Sequence, residues 1–287
     1  GYHRYTYDDD SKAKKLVVNL PVSNERIHDW DIEQDGEHAF EGYQAASEKV
    51  YFYAVTNYRI AGIVRLKGKT GELPVVNFDS GRGPLEVRIG LSCVSTANAR
   101  QNLEKETDGR SFDSVSAAAS AEWERLLSRV KVTGGTEREK MLFYSCLYRS
   151  FLWPALRSDE NGEYTDEKGD VVKGDFRYYT LPSLWDDYRN KLVLLGMLSP
   201  DVTVDVIRSL IDRGEKTGFI PTFFHGDHAS AFIAGSYLRG LRGFDAREAY
   251  RLLLRNATVE GGTRPYIAEY MAKGYISDPD VANPNVE

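Results

Sequence analysis

The sequence predicts an α+β protein in two parts, a β-sandwich followed by paired helices of a helical barrel. Three observations carry this. Leu85, Val87, Ile89, Leu91 and Cys93 alternate with Glu86, Arg88, Gly90 and Ser92, the two-residue period of a half-buried strand. After Val94 the period becomes helical. The helix opening near Thr136 is then apolar on nearly every side, which suits an inner ring better than a surface.

Taken in order, Lys14–Leu20, Lys49–Thr56 and Arg59–Leu66 read as further strands. Gly68, Gly71 and Ser80-Gly81-Arg82-Gly83-Pro84 supply turns between them. Several short strands at even spacing predict the sandwich. Ser95 or Thr96 caps a helix through Glu104. Ser111 caps a second, in which Val115, Ala118, Ala119, Trp123, Leu126, Leu127 and Val130 recur at helical spacing. Thr136-Glu137-Arg138-Glu139 has the form of a capping box. It opens the apolar helix carrying Met141, Leu142, Phe143, Tyr144, Cys146, Leu147, Phe151 and Leu152. A polar, Gly-punctuated stretch from Arg157 to Tyr179 reads as a hairpin or long loop, a length often tied to function. Helices resume over Leu184–Leu198, Val202–Arg213, His228–Leu241 and Asp245–Asn256, with Asp245 as a cap. The domain boundary falls near Ser95.

Composition excludes some functions. A net charge of -6 with no basic stripe argues against nucleic acid. No stretch approaches the ~20 apolar residues of a membrane helix. Aromatic residues make 12% of the chain, which leans toward sugar recognition but also suits an ordinary core. Cys93 and Cys146 read as small core residues, and no zinc spacing exists. The chain opens at Gly1 in mid-pattern and ends at Pro284-Asn285-Val286-Glu287 with no closing element, so both ends read as cuts through a longer protein.

Two tracts carry candidate chemistry. In Ser183-Leu184-Trp185-Asp186-Asp187-Tyr188, Ser183 is placed to cap a helix with Trp185 and Asp186 in its first turn. Acids there complement the helix dipole, and Asp187 reads that way. Asp186, beside an indole and after Phe176, Tyr178 and Tyr179, reads as a ligand for sugar hydroxyls with Trp185 covering the ring. The two aspartates cannot be a glycosidase acid/base pair, because adjacent helical residues point about 100° apart. The second tract is His225-Gly226-Asp227-His228-Ala229. Its histidines lack a third His or Cys nearby to complete a metal site. The preferred reading is Asp227 as N-cap with His228 presented at the barrel mouth. Phe219, Phe223 and Phe224 either pack or wall a pocket.

These pieces together resemble glycoside hydrolase family 92, the calcium-dependent exo-acting α-mannosidases. The motifs, in order, are Gly1-Tyr2-His3-Arg4-Tyr5-Thr6; Arg88 to Ser92 with Ala97-Asn98-Ala99-Arg100 and Leu103; Gly134 to Glu137 through Phe143 to Tyr148; Ser183-Leu184-Trp185-Asp186; Gly226-Asp227-His228-Ala229; and Tyr237 to Asp245. The resemblance implies residues 1–95 as the later part of an N-terminal β-sandwich, 96–134 as a helical linker and 135–287 as the first part of an (α/α)6 barrel. It implies inverting hydrolysis of α-mannosides by a carboxylic acid and a carboxylate, with calcium binding mannose hydroxyls and helping distort the ring. It assigns Asp186 to the terminal mannose and Trp185 to its pocket. With Asp227 and His228 these are the expected substrate-binding residues. No catalytic residue or metal ligand is expected in the chain, because the family's acid, base and calcium ligands would follow Glu287, so the chain alone is expected to be inactive. An exported enzyme acting on mannoside oligosaccharides or glycoprotein glycans is implied. The sequence departs from many relatives in a short run, Gly218 to Phe224, before Gly226, which bears on leaving-group and linkage preference. A non-catalytic carbohydrate-binding protein and another (α/α)6-barrel glycosidase or phosphorylase stand as alternatives.

Overall fold

The computed structural model describes residues 1–9, 12–68, 71–222, 226–262 and 264–277. It is a mixed α+β structure with antiparallel sheets. The chain divides into two compact units, Gly1–Leu126 with Ser158–Tyr164, and Leu127–Arg157 with Thr165–Glu287.

In the first unit eight strands form: β1 (Tyr2–Tyr5), β2 (Lys15–Val17), β3 (Asp29–Asp35), β4 (Ala39–Ala45), β5 (Lys49–Thr56), β6 (Ile60–Gly68), β7 (Gly71–Phe78) and β8 (Leu85–Ser92). One sheet runs β1-β8-β5-β4-β3 and the other β2-β7-β6. Phe40, Phe52, Ala54, Leu85 and Val87 from the first join Ile60, Val76 and Phe78 from the second in one buried cluster. The opposite face of the five-stranded sheet is covered by α1 (Thr96–Thr107), whose Ala99 and Leu103 cluster with Ala39 and Tyr53. Cover on both faces explains why β5 buries Phe52, Tyr53 and Ala54 consecutively instead of alternating.

The same cover corrects the reading of β8. Strict alternation makes Leu91 a core residue, yet Leu91 is 59% exposed, while its neighbours Gly90 and Ser92 are buried. Gly90 and Ser92 are buried because α1 packs closely on their face. A Cβ at Gly90 would lie 2.0 Å from the Ala99 carbonyl oxygen, so only glycine lets the helix backbone approach this near.

Ser95 caps α1 by accepting from the Asn98 N–H, and Ser111 does the same from Ser114 for α2 (Phe112–Leu127). Both helices, read above as a linker, cluster with the strands through Leu126. Despite its periodic apolar residues α2 buries none of them fully.

Segment 158–164 is tied to this unit by two carboxylates, Glu163, which accepts from Asn98 Nδ2 at 2.9 Å, and the more buried Asp159. Asp159, 8% exposed, accepts from Ser92 Oγ at 2.7 Å, Asn98 Nδ2 at 2.8 Å and Asn102 Nδ2 at 2.8 Å. Asn102 Oδ1 in turn accepts from the Glu160 N–H. A buried carboxylate persists when its lone pairs are filled in this way.

The second unit begins with α3 (Glu137–Ser150), opened by the predicted capping box. Thr136 Oγ1 accepts from the Glu139 N–H, and Glu139 Oε2 accepts from the Thr136 N–H. The expectation of a helix buried all round is overturned. Leu147 alone is buried, Met141, Leu142 and Phe143 are 67%, 56% and 38% exposed, and Cys146 is exposed where a core cysteine was expected. An apolar sequence records a surface that favours cover. It does not supply the covering element.

The polar stretch carries two three-residue strands, β9 (Glu163–Thr165) and β10 (Val171–Lys173). There follow α4 (Leu184–Asp187), α5 (Lys191–Leu198), α6 (Pro200–Thr217), α7 (His228–Leu238), α8 (Ala246–Thr258) and α9 (Ile267–Lys273). The predicted single helix over Leu184–Leu198 is therefore broken. Asn190 restarts it, its side chain accepting from the Lys191 N–H at 2.5 Å. The core gathers around α6, where Val206, Ile207 and Leu210 meet Leu184, Leu192, Phe232, Ile233 and Leu252. Helix α6 starts with Pro200 and ends at Gly218 in the left-handed region.

Candidate functional site

The site is built on the segment entering α4 and on the start of α7. Buried Tyr178 and Tyr179 anchor the entry: the Arg157 N–H donates to the Tyr178 carbonyl at 2.7 Å, and the Tyr179 N–H donates to Ser209 Oγ at 3.0 Å. Leu184, fully buried, then pins the single turn of α4. Asp187 points inward and pairs with Lys191 at 2.6 Å, while Trp185 and Asp186 face outward, Trp185 37% exposed. The two aspartates thus occupy opposite environments, as their adjacency on a helix requires.

Ser183 departs from its expected capping role. It makes no side-chain cap bond, and its Oγ donates to Asp186 Oδ2 at 2.5 Å. The amides of Asp186 and Asp187 already donate to the Ser183 carbonyl, and the carboxylate is a strong acceptor for the hydroxyl.

At α7, Asp227 occupies the N-cap position, but its side chain makes no cap bond either. Its Oδ1 is buried without a hydrogen-bond partner among the described residues. Burial pushes this carboxyl above its usual range, against the opposing pull of Asn256, Arg264 and His228. Gly226 stands before it with φ +68 and leaves room for the His228 ring: a Cβ there would lie 3.2 Å from His228 Nε2.

The structure brings Trp185 and His228 together, although they lie far apart in sequence. His228 stacks on Tyr188, centroids 4.5 Å apart and planes 13° apart, and meets Trp185 edge to face at 5.4 Å. Arg189 lies over the other partner of this cluster, 5.0 Å from the Tyr188 centroid. His228 Nε2 is buried with no hydrogen-bond partner among the described residues. Burial and the Arg189 guanidinium push the imidazole below its usual value, with Asp227 opposing.

Of the predicted residues, Trp185 and Asp186 share the exposed side of α4, His228 touches Trp185, and Asp227 sits behind His228 on the chain. Sequence reasoning missed Tyr188 as the stacking partner and Ser183 as the partner of Asp186. The tract itself contained both, but nothing local tied Tyr188 to α7. Phe223, Phe224 and His225 lie outside the described residues. Among the described residues no group of three or more His, Cys, Asp or Glu is placed to hold a metal ion. No described helix is long and apolar enough to cross a membrane.

An exposed carboxylate can accept hydrogen bonds from hydroxyl groups, and an exposed indole beside it offers a flat apolar face. Residues 98–286 match the glycosyl hydrolase family 92 catalytic domain, a span that contains every site residue above. The chain belongs to glycosyl hydrolase family 92.

The fold agrees with solved structures. The family GH92 α-mannosidase BT3965 from Bacteroides thetaiotaomicron is 23% identical, with a TM-score of 0.79 over 86% of this chain and 38% of that one. The GH92 inverting mannosidase BT2199 of the same bacterium is 22% identical, with a TM-score of 0.76 over 88% of this chain and 39% of that one. The GH92 family glycosyl hydrolase ccman5 is 24% identical, with a TM-score of 0.80 over 96% of this chain and 40% of that one. A protein of Arthroderma benhamiae described as an uncharacterized secreted glycosidase is 26% identical over 188 residues, 63% of this chain and 21% of that relative. The chain thus spans about a fifth of that relative and about two fifths of the solved enzymes.

Proposed function

We propose that this chain is part of a glycoside hydrolase that releases terminal mannose from α-mannosides with inversion. In this reading the two-sheet unit is the later part of a β-sandwich, and the helices of the second unit are the first part of an (α/α)6 barrel. The observation that carries it is the outward pairing of Trp185 and Asp186 inside the family match. Asp186 uses Oδ2 to accept from Ser183 and accepts sugar hydroxyls through Oδ1. Trp185 covers the ring, with Asp227 and His228 behind it. One solved relative is an α-mannosidase and another an inverting mannosidase, which supports the substrate class and the inversion.

Inversion needs a protonated carboxyl and a carboxylate roughly 6.5–9.5 Å apart on either side of one bond. Asp186 and Asp187 do not form such a pair; following the family resemblance, the acid and base are assigned outside residues 1–287, which alone are expected to bind or position sugar without turning it over. Calcium belongs to the resemblance only. Its ligands are expected outside residues 1–287, and no step is derived through it. The secreted relative supports an exported enzyme acting on mannoside oligosaccharides or glycoprotein glycans.

The test is a product analysis with the longest reading frame containing this sequence. Time-resolved proton NMR of α-mannoside cleavage should show β-mannose first. Retained configuration would overturn the inverting reading, and a requirement for phosphate would favour a phosphorylase.

A further inference from the structure

Helix α4 is a single turn, far too short to hold its shape alone, so the orientation of Trp185 must be imposed by its surroundings. Leu184 fixes the inner side by full burial. On the outer side the His228 ring meets the indole edge to face, and that ring is itself flat on Tyr188, the residue that closes the turn. One imidazole therefore touches both ends of the exposed side of α4 and joins it to the start of α7.

We infer that His228 is a positioning residue, whose ring, stacked on Tyr188 and set against Trp185, fixes the indole for sugar contact and acts through that indole. This rests on the reading that Trp185 and Asp186 form a sugar site. Three observations support it. His228 Nε2 is buried, has no hydrogen-bond partner among the described residues and faces the Gly226 backbone, where a Cβ would come within 3.2 Å. A nitrogen so placed is closed to a sugar hydroxyl. Gly226 is needed twice over, for its φ of +68 and for this space, so the Gly-Asp-His tract is shaped to seat a ring. Burial and Arg189 keep the imidazole neutral near pH 7, leaving a flat uncharged ring for stacking.

The ring and the nitrogen can be separated by comparing His228→Ala with His228→Phe in the full-length protein, with Trp185→Phe backgrounds isolating the Trp185 emission. Removing the ring should raise KM for an aryl α-mannoside about five- to tenfold, the range of one lost aromatic contact, while kcat changes less than about threefold. It should also shift the Trp185 emission. His228→Phe, the conservative rescue, should bring KM back to within about twofold of the native enzyme and restore the emission. The inference is overturned if His228→Phe is as impaired as His228→Ala, which would make the nitrogen a ligand, or if His228→Ala moves neither KM nor emission. Should His228→Ala fail to fold, Tyr188→Leu removes the other side of the stack and must move the Trp185 emission in the same way. The emission needs no turnover, so native protein without α-mannoside activity would sink the functional reading alone.

Discussion

The imidazole of His228 lies on the Tyr188 phenol with 4.5 Å between centroids and 13° between planes. That stack joins two helices remote in sequence, and it gives the site a pH dependence whose sign follows from burial.

Burial lowers the folded pKa of His228 below its ordinary value. As pH falls, the unfolded chain takes up the proton first. Stability is therefore full above about pH 6.5 and is lost as pH falls from there through the folded pKa. Thermal unfolding followed by circular dichroism should show a lower Tm at pH 5.5 than at pH 7.5, with a shallower slope in His228→Phe. Equal slopes would remove His228 as the source.

Asp227 titrates in the opposite sense. Its folded pKa is raised by burial, so its contribution is present below the unfolded value and is lost as pH rises through the folded one. At neutral pH the buried carboxylate costs stability. Asp227→Asn should be more stable at pH 7 by about 1 kcal/mol, with the gain shrinking toward pH 4. Urea unfolding at the two pH values measures the difference, and a loss of stability at pH 7 would contradict it.

Gly90 and Leu91 test the packing of α1. A Cβ at Gly90 meets the Ala99 carbonyl oxygen at 2.0 Å and Leu103 Cβ at 2.8 Å, both on a helix that cannot retreat without uncovering the sheet. Gly90→Ala should cost at least about 3 kcal/mol, while Leu91→Ala should stay within about 0.5 kcal/mol. Denaturant midpoints in the order opposite to this would restore the simple alternation of β8.

Asp159 is the buried fastening of segment 158–164, beside the part-buried bond from Asn98 to Glu163. Asp159→Ala leaves the donors of Ser92, Asn98 and Asn102 without their shared acceptor and should cost about 3 kcal/mol. Limited proteolysis should then cut within that segment first. Unchanged resistance would show that the network is dispensable.

Local chemistry was legible in the sequence wherever one residue decides the outcome. Ser95, Ser111, Thr136 and Asp245 cap the helices predicted for them, because a cap needs only a side-chain oxygen and the next turn's amides. Legibility ended where a distant element intervenes. The period of β8 could not reveal that α1 covers its second face, and the apolar run of α3 could not reveal that its own chain leaves it exposed. At the site, Trp185 and Asp186 stood out by residue type. Their partners did not: Ser183 donates to the Asp186 carboxylate and makes no cap bond, and the Tyr188–His228 stack exists only once α4 and α7 are packed.

The central claim is that Asp186 grips a mannoside beside Trp185. Its most direct test is kcat/KM for an aryl α-mannoside, measured on full-length native protein and Asp186→Asn at matched Tm. The account predicts cleavage by the native protein and a loss of about 100-fold in the variant, the scale of one charged hydrogen bond to substrate. An Asp186→Asn enzyme as active as the native one would contradict it.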